Sequence, residues 1–250
     1  MDVLTQYYQS VSEMIKKIYE NEKKPIEQAA ELIAQSVVDG KVIHVIGTGG
    51  HSYMGAEEIF YRAGGLAPIN AILDDGISLG GGAIRSTKIE RTPGYAKAIF
   101  DYHQVEKIGD VMIITTAVGF NSITIDSALE CKKRGIKTIA ITSTGFAAEP
   151  KDLPARHPSG KNLYEIADIF INCYTPTGDA VVEIKGYKQK VSPISTLGIV
   201  YALNSMMARA IEKIYAKGVE PPVWLSANVV GGDAKNKQYV EKYSGIVKLL

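Results

Sequence analysis

The segment from Val42 to Arg62 constrains the fold of this chain most. A short apolar run (Val42, Ile43, Val45, Ile46) breaks into Gly47-Thr48-Gly49-Gly50-His51-Ser52 and then takes up a helical pattern. A buried parallel strand delivers the chain to the carboxyl edge of a sheet, the glycines let the backbone approach a ligand, and the following helix aims unpaired N–H groups at the same point. Thr48 and Ser52 add hydroxyl groups. The turn lacks the lysine of a P-loop and the G-x-G-x-x-G spacing of a dinucleotide fold, so it predicts an anion site without naming the anion.

A second turn of the same kind follows the run Val111 to Thr115. It reads Thr116-Ala117-Val118-Gly119-Phe120-Asn121-Ser122 and leads into a helix from Ile123 to Arg134, stopped by Gly135 before the strand Lys137 to Thr142. Strands are expected near 42 to 46, 68 to 72, 111 to 115, 137 to 142 and 168 to 173. Helices are expected near 52 to 63, 94 to 106, 121 to 134, 160 to 166 and 193 to 217. Buried strands alternating with helices predict an α/β fold, a parallel sheet covered on both faces, with ligands at the carboxyl ends of its strands. Residues 1 to 39 read as two amphipathic helices, with Pro25 in the first turn of the second. The connection from Leu73 to Pro93, with its Gly80-Gly81-Gly82 run, reads as a long functional loop.

The unit of strand, hydroxyl-and-glycine turn, helix, glycine and the strand ending Ile139-Ala140-Ile141-Thr142-Ser143 resembles the core of the SIS (sugar isomerase) domain family. Leu163 to Asp168 resembles the segment leading to that family's fifth strand. Val191 to Thr196 resembles its Ser/Thr-rich helix start. Glu57-Glu58 with Phe60 to Gly65, Arg156-His157 with Ser159-Gly160-Lys161, and Ser226-Ala227-Asn228 with Gly231-Gly232-Asp233 are similar to a single-domain, phosphosugar isomerase-like branch. The resemblance implies a doubly wound three-layer sandwich with a five-stranded parallel sheet, a sugar-phosphate ligand and no cofactor. It also implies that the helical arm packs between subunits of a homodimer or homotetramer. One departure stands out. The family's phosphate loop usually reads Ser-x-Ser-Gly, whereas the matching residues here are Thr116, Ala117, Val118 and Gly119, and the valine cannot donate a hydrogen bond. Another anionic sugar, such as a sulfonate, is compatible with that change.

At 250 residues with 46% apolar content, the chain suits one large domain spanning 1–250. It divides into a helical arm at 1–39, an α/β core at 41–220 and a C-terminal tail at 221–250, which is expected to cover the site or a neighbouring subunit. A net charge of +1 gives no basic excess for nucleic acid. No apolar run reaches membrane-spanning length and the first residues carry no signal-peptide pattern, so a cytoplasmic protein is expected. The two cysteines, Cys131 and Cys173, lack metal-ligand spacing and read as packing residues.

Aldose to ketose isomerisation needs a base to move a proton between adjacent carbons, a group to open the sugar ring, and donors for the developing oxyanion. Glu57 and Glu58 follow the first turn but differ by about 100° around a helix, so at most one faces a ligand. Glu90, in the glycine-rich connection, is the rival base. His51 inside the first turn and His157 between the fourth and fifth strands are candidates for ring opening or hydroxyl recognition. His44 reads as a hydrogen-bonded core residue and His103 as solvent-facing. Substrate-binding candidates are Gly47, Thr48, Gly49, Gly50, Ser52, Thr115, Thr116, Gly119, Asn121, Ser122 and Lys161. No metal site is expected. The leading function is an aldose/ketose isomerase for a sugar phosphate or other anionic sugar. The alternatives are a non-catalytic sugar-phosphate sensor and a sugar-phosphate lyase or etherase using the same carboxylate.

Overall fold

The computed structural model describes residues 1–250. In chain order, α1 (Val3–Asn21) and α2 (Lys23–Val38) precede β1 (Ile43–Gly47), α3 (Tyr53–Ile59) and β2 (Ile69–Ile72). Then come α4 (Ala83–Glu90), α5 (Tyr95–His103), α6 (Val105–Ile108), β3 (Val111–Thr115), α7 (Ser122–Lys133) and β4 (Lys137–Thr142). The last part holds β5 (Ile169–Asn172), β6 (Ala180–Val182), β7 (Val191–Pro193), α8 (Ser195–Ala216) and α9 (Gly232–Tyr243).

Strands that are apolar at nearly every position must be covered on both faces, and these are. β1 to β5 pair in parallel in the order β2-β1-β3-β4-β5. Ile43, Val45, Val111, Ile113, Ile139 and Ile141 point into a core shared with α1, α2, α3 and α8. Their neighbours Ile46, Met112, Ile114 and Ala140 point the other way, into a core shared with α5 and α7. This two-residue alternation gives the expected three-layer α/β sandwich. Asp2 caps α1, accepting from the N–H groups of Leu4 at 3.0 Å and Thr5 at 3.1 Å. Glu27 and Glu31 of α2 pair with Arg209 and Lys213 of α8 and with Lys217 just past its end, along the line where the two helices pack.

Several expectations change. The connection from 73 to 93 contains helix α4, which the preceding glycine run conceals. The expected helix near 160 to 166 is a single 3-10 turn, Leu163–Glu165, closed by the Glu165 carboxylate on the Asn162 N–H at 2.6 Å. The helix after the first turn stops at Ile59, where Phe60 turns extended. β6 and β7 form a small antiparallel hairpin that the sequence reading did not include. His103 is buried rather than solvent-facing, because it continues the inward stripe Ala96, Ile99 and Phe100 at helical spacing. The C-terminal segment does not cover the two glycine-containing turns of its own chain. Trp224, Tyr239, Tyr243 and Val247 pack against Val42 and Ala67, just before β1 and β2, at the opposite edge of the sheet.

Candidate functional site

The sheet order reverses at β1, whose neighbours β2 and β3 are reached by crossovers on opposite faces, and a crevice opens where such paths diverge. Gly47 and Thr115, the last residues of β1 and β3, are paired, so both glycine-containing turns start side by side. A cavity of about 340 Å³ lies above them. Its walls are Thr48 to Ser52, then Thr116, Ala117, Val118 and Asn121, then Ala83, Ser86, Thr87 and Glu90 of α4, with Leu79, Asp179 and Ser195 completing the rim.

The second turn is built to present backbone donors. None of the N–H groups from Ala117 to Thr124 has a partner within the protein. Its carbonyls are turned outward instead: Gly119 accepts from Leu163 N–H at 2.7 Å and Phe120 from His157 N–H at 2.8 Å. Gly119 holds φ +73°, and a Cβ there would lie 2.6 Å from Thr142 Oγ1, so only glycine fits. Buried Arg156 braces the outer side, donating to the carbonyls of Glu149 and Pro150 at 2.9 Å and to Asn162 Oδ1 at 3.0 Å. Its guanidinium lies 4.1 Å from the Phe120 ring centroid. Hydroxyl bonds tie the turns together. Thr48 bonds Thr124 at 2.6 Å, and Thr115 donates to the Ser52 carbonyl at 3.0 Å.

Glu90 ends α4 and reaches between the two turns. Its Oε2 lies 3.0 Å from where a Cβ on Gly49 would stand, so any side chain at Gly49 would crowd the carboxylate. Burial raises its pKa above the ordinary carboxylate value, against the smaller opposing pull of Arg91 and the Asn121 side chain. Asn121 is 7% exposed and its Oδ1 has no partner. Asp179, at φ +63°, accepts from the Ile194 and Ser195 N–H groups at 3.0 and 2.8 Å and from Ser195 Oγ at 2.7 Å. Its carboxylate therefore fills the N-terminus of α8.

Of the candidates from the sequence, His51, Glu90, Thr48, Gly49, Gly50, Ser52, Thr116 and Asn121 line the cavity. Glu57 and Glu58 do not. Glu57 is exposed on α3, while Glu58 accepts from Asn204 at 3.1 Å and lies 3.6 Å from Arg62. His157 is turned to Asp126 at 3.2 Å and Ser159 at 2.8 Å, outside the cavity wall. Gly47, Thr115, Gly119 and Ser122 shape the turns from beneath, and Lys161 is exposed away from them. The sequence reading missed Leu79, Ala83, Ser86, Thr87, Asp179 and Ser195 as wall residues. A helix-start serine was the one available signal for Ser195; Asp179 is joined to it only through the folded hairpin. Three or more His, Cys, Asp or Glu side chains in metal-holding arrangement do not occur.

Parallel topology, helices on both faces and a reversal of strand order define a doubly wound α/β protein, with a donor-lined cavity at its switch point. The SIS domain model matches residues 6–143, and the chain belongs to the SIS domain family. It is 37% identical over 248 residues to a UPF0309 protein of Geobacillus thermodenitrificans, covering 99% of this chain and 98% of that one. It is 40% identical over 244 residues to a UPF0309 protein of Caldanaerobacter subterraneus subsp. tengcongensis, covering 96% and 97%. A solved phosphoheptose isomerase from Francisella tularensis is similar in fold, with a TM-score of 0.50 at 16% identity over 86% of this chain and 96% of that one.

Proposed function

We propose that this protein is an aldose/ketose isomerase for a sugar phosphate or another anionic sugar, with Glu90 as the proton shuttle. The observation that carries this reading is the position of Glu90. A half-buried carboxyl group with a raised pKa stands in the same cavity as a row of unpartnered backbone N–H groups. The N–H row and the dipole of α7 hold the anion, which orients the carbon chain of the sugar toward Glu90. A carboxylate whose pKa burial has moved toward neutrality is a better base for proton transfer next to a carbonyl, and its conjugate acid returns the proton to the neighbouring carbon. His51 at the mouth is placed to exchange a proton with the ring oxygen or a hydroxyl. Family membership and the name of the fold neighbour support the choice of a phosphorylated sugar.

The same position of Glu90 supports a second reading, elimination at the sugar, in which the ionised carboxylate takes the proton from the carbon next to the carbonyl and returns it to the oxygen that departs as the C=C bond forms. Solvent-deuterium exchange at the carbon next to the carbonyl, measured with Glu57→Gln, Glu58→Gln and Glu90→Gln, tests the assignment. Glu90→Gln is expected to lower exchange ~100-fold to ~10,000-fold with sugar-phosphate binding retained, because the amide keeps the shape but cannot accept a proton. The other two variants are expected to exchange like wild type. Normal exchange in Glu90→Gln would place the base elsewhere. Binding without exchange for any sugar would make the protein a sensor.

A further inference from the structure

We infer that Asp126, which lies outside the cavity, is a positioning residue for the proposed reaction: by tying the end of α4 to α7 it holds the Glu90 carboxylate in place between the two glycine-containing turns. The inference rests on the reading of Glu90 as the proton shuttle and adds a residue that acts through it.

Helix α4 is thinly attached to the rest of the molecule. Ser86 is its one buried residue, and Ile84 is 75% exposed. Toward its start, Ser86 Oγ donates to the Ile77 carbonyl at 2.8 Å and Arg85 Nη1 to the Asp75 carbonyl at 2.9 Å. Both anchors precede Glu90 by about one turn. Beyond them, Thr92 Oγ1 bonds only back to the Lys88 carbonyl, within the same segment. Between Thr87 and Gly94 the sole hydrogen bond to another element runs from the Gly94 N–H to Asp126 Oδ2, at 2.6 Å. Ile89 adds apolar contact with the core shared by α5 and α7. A base must stay within hydrogen-bond reach of the proton it moves, and a misplacement of about 1 Å can lower a rate ~100-fold. The hold on this short segment therefore bears directly on what Glu90 can do.

Asp126 is itself held for that task. It stands on α7 one turn after Ser122, and its Oδ1 lies 3.2 Å from His157 Nε2. The Ser159 nitrogen lies 3.1 Å from His157 Nδ1 and can only donate, so Nδ1 accepts and neutral His157 carries its hydrogen on Nε2, toward Asp126. The backbone N–H of His157 in turn donates to the Phe120 carbonyl at 2.8 Å. Each carboxylate oxygen of Asp126 thus has its own donor, Gly94 on the side of the base and His157 on the side of the second turn. With both oxygens engaged, the carboxylate is fixed in orientation. His157, outside the cavity wall, supports the site through Asp126.

Carbon-13 NMR titration of the Glu90 carboxyl in the full-length protein tests the inference, with the signal assigned by its loss in Glu90→Gln. Burial raises the pKa of Glu90, with Arg91 and the Asn121 side chain opposing, so the titration midpoint reports how deeply the carboxylate is seated. Asp126→Ala removes the acceptor for Gly94, and the midpoint is expected to fall by about 0.5 in pH or more as water reaches the freed segment. Asp126→Asn keeps an amide oxygen for Gly94 and is expected to titrate as wild type does. In parallel, solvent-deuterium exchange into a hexose 6-phosphate is expected to drop ~10-fold or more in Asp126→Ala, with affinity for that sugar within ~two-fold of wild type, and to persist in Asp126→Asn. An unchanged Glu90 midpoint in Asp126→Ala overturns the inference even where the variant is less stable to denaturant, because Asp126 would then serve stability alone. An equal fall in Asp126→Asn overturns it too, by assigning the effect to charge. Asp126→Ser, too short to reach Gly94, gives the same comparison should Asp126→Ala not fold. The titration needs no sugar, so it decides the inference even if Glu90→Gln exchanges like wild type and the isomerase reading falls.

Discussion

At the scale of single residues, Val118 stands where the Ser-x-Ser-Gly pattern implied by the family resemblance has a hydroxyl side chain. It lines the cavity among free N–H groups, its own included, and its side chain adds no donor. Val118→Ser is expected to tighten hexose 6-phosphate binding by about 1 kcal/mol, roughly five-fold, through one added hydrogen bond. Titration of both proteins measures this directly. Weaker phosphate binding in the variant would mean that the valine serves a different anion. Gly49 and Gly119 act at the same scale through what they lack, since a Cβ at either would press on Glu90 or Thr142. The cysteines stand apart from the cavity wall. Both are buried, and burial pushes the Cys131 thiol up and the Cys173 thiol up to about 11, so neither is a ready nucleophile.

At the scale of elements, His44 links β1, β2 and the start of α6. Its Nε2 lies 2.9 Å from the Val105 carbonyl and its Nδ1 2.9 Å from Asn70 Nδ2. A carbonyl only accepts and an amide nitrogen only donates, so the network assigns the hydrogen to Nε2 and leaves Nδ1 an acceptor. The sequence reading as a hydrogen-bonded core histidine matches this arrangement. Burial, the leading cause, holds its pKa down at about 4, with the Val105 bond, Asp110 and Glu106 opposing and nearby His103 assisting. Folding is therefore favoured by neutral His44 at and above the unfolded value of 6.5. This contribution declines as pH falls from 6.5 toward about 4 and is flat below. The full span amounts to about 3 kcal/mol. Denaturant unfolding between pH 7 and pH 4 is expected to show a smaller loss of stability in His44→Gln than in wild type. Parallel curves for the two proteins would show that His44 does not titrate across this range.

At the scale of the whole molecule, the helical arm and the hairpin make one surface. Gln6 of α1 and Glu183 at the hairpin exchange bonds of 3.2 and 3.0 Å, which brings Ile184 and Tyr187 beside the start of the arm. Leu4 is 80% exposed and Tyr8 72%, whereas Val11 and Ile15 of the same stripe are partly covered by the chain itself. Exposed apolar groups gathered in this way mark a contact surface. We expect a second copy of the chain to cover it. Light scattering at micromolar concentration should give a dimer or larger, and Leu4→Glu combined with Tyr8→Glu should lower the mass. A monomeric wild type would overturn this expectation.

The amino-acid order alone determined the parallel α/β character, because unbroken apolar strands separated by amphipathic helices have no other way to cover both sheet faces. It also located both glycine-containing turns that wall the cavity, since glycine between a strand and a helix is a local signal carried by adjacent residues. Helix α4 escaped notice because the Gly80 to Gly82 run just before it disguised an eight-residue helix as part of a loop. The choice among Glu57, Glu58 and Glu90 lay beyond local pattern. All three are near glycine-rich segments, but only the packing of α4 over the first turn brings Glu90 against Gly49 and into the cavity. Asp179 belongs wholly to tertiary structure. Its partners Ile194 and Ser195 lie across the β6–β7 hairpin, and a contact closed by such a loop is set by the fold rather than by neighbours in sequence.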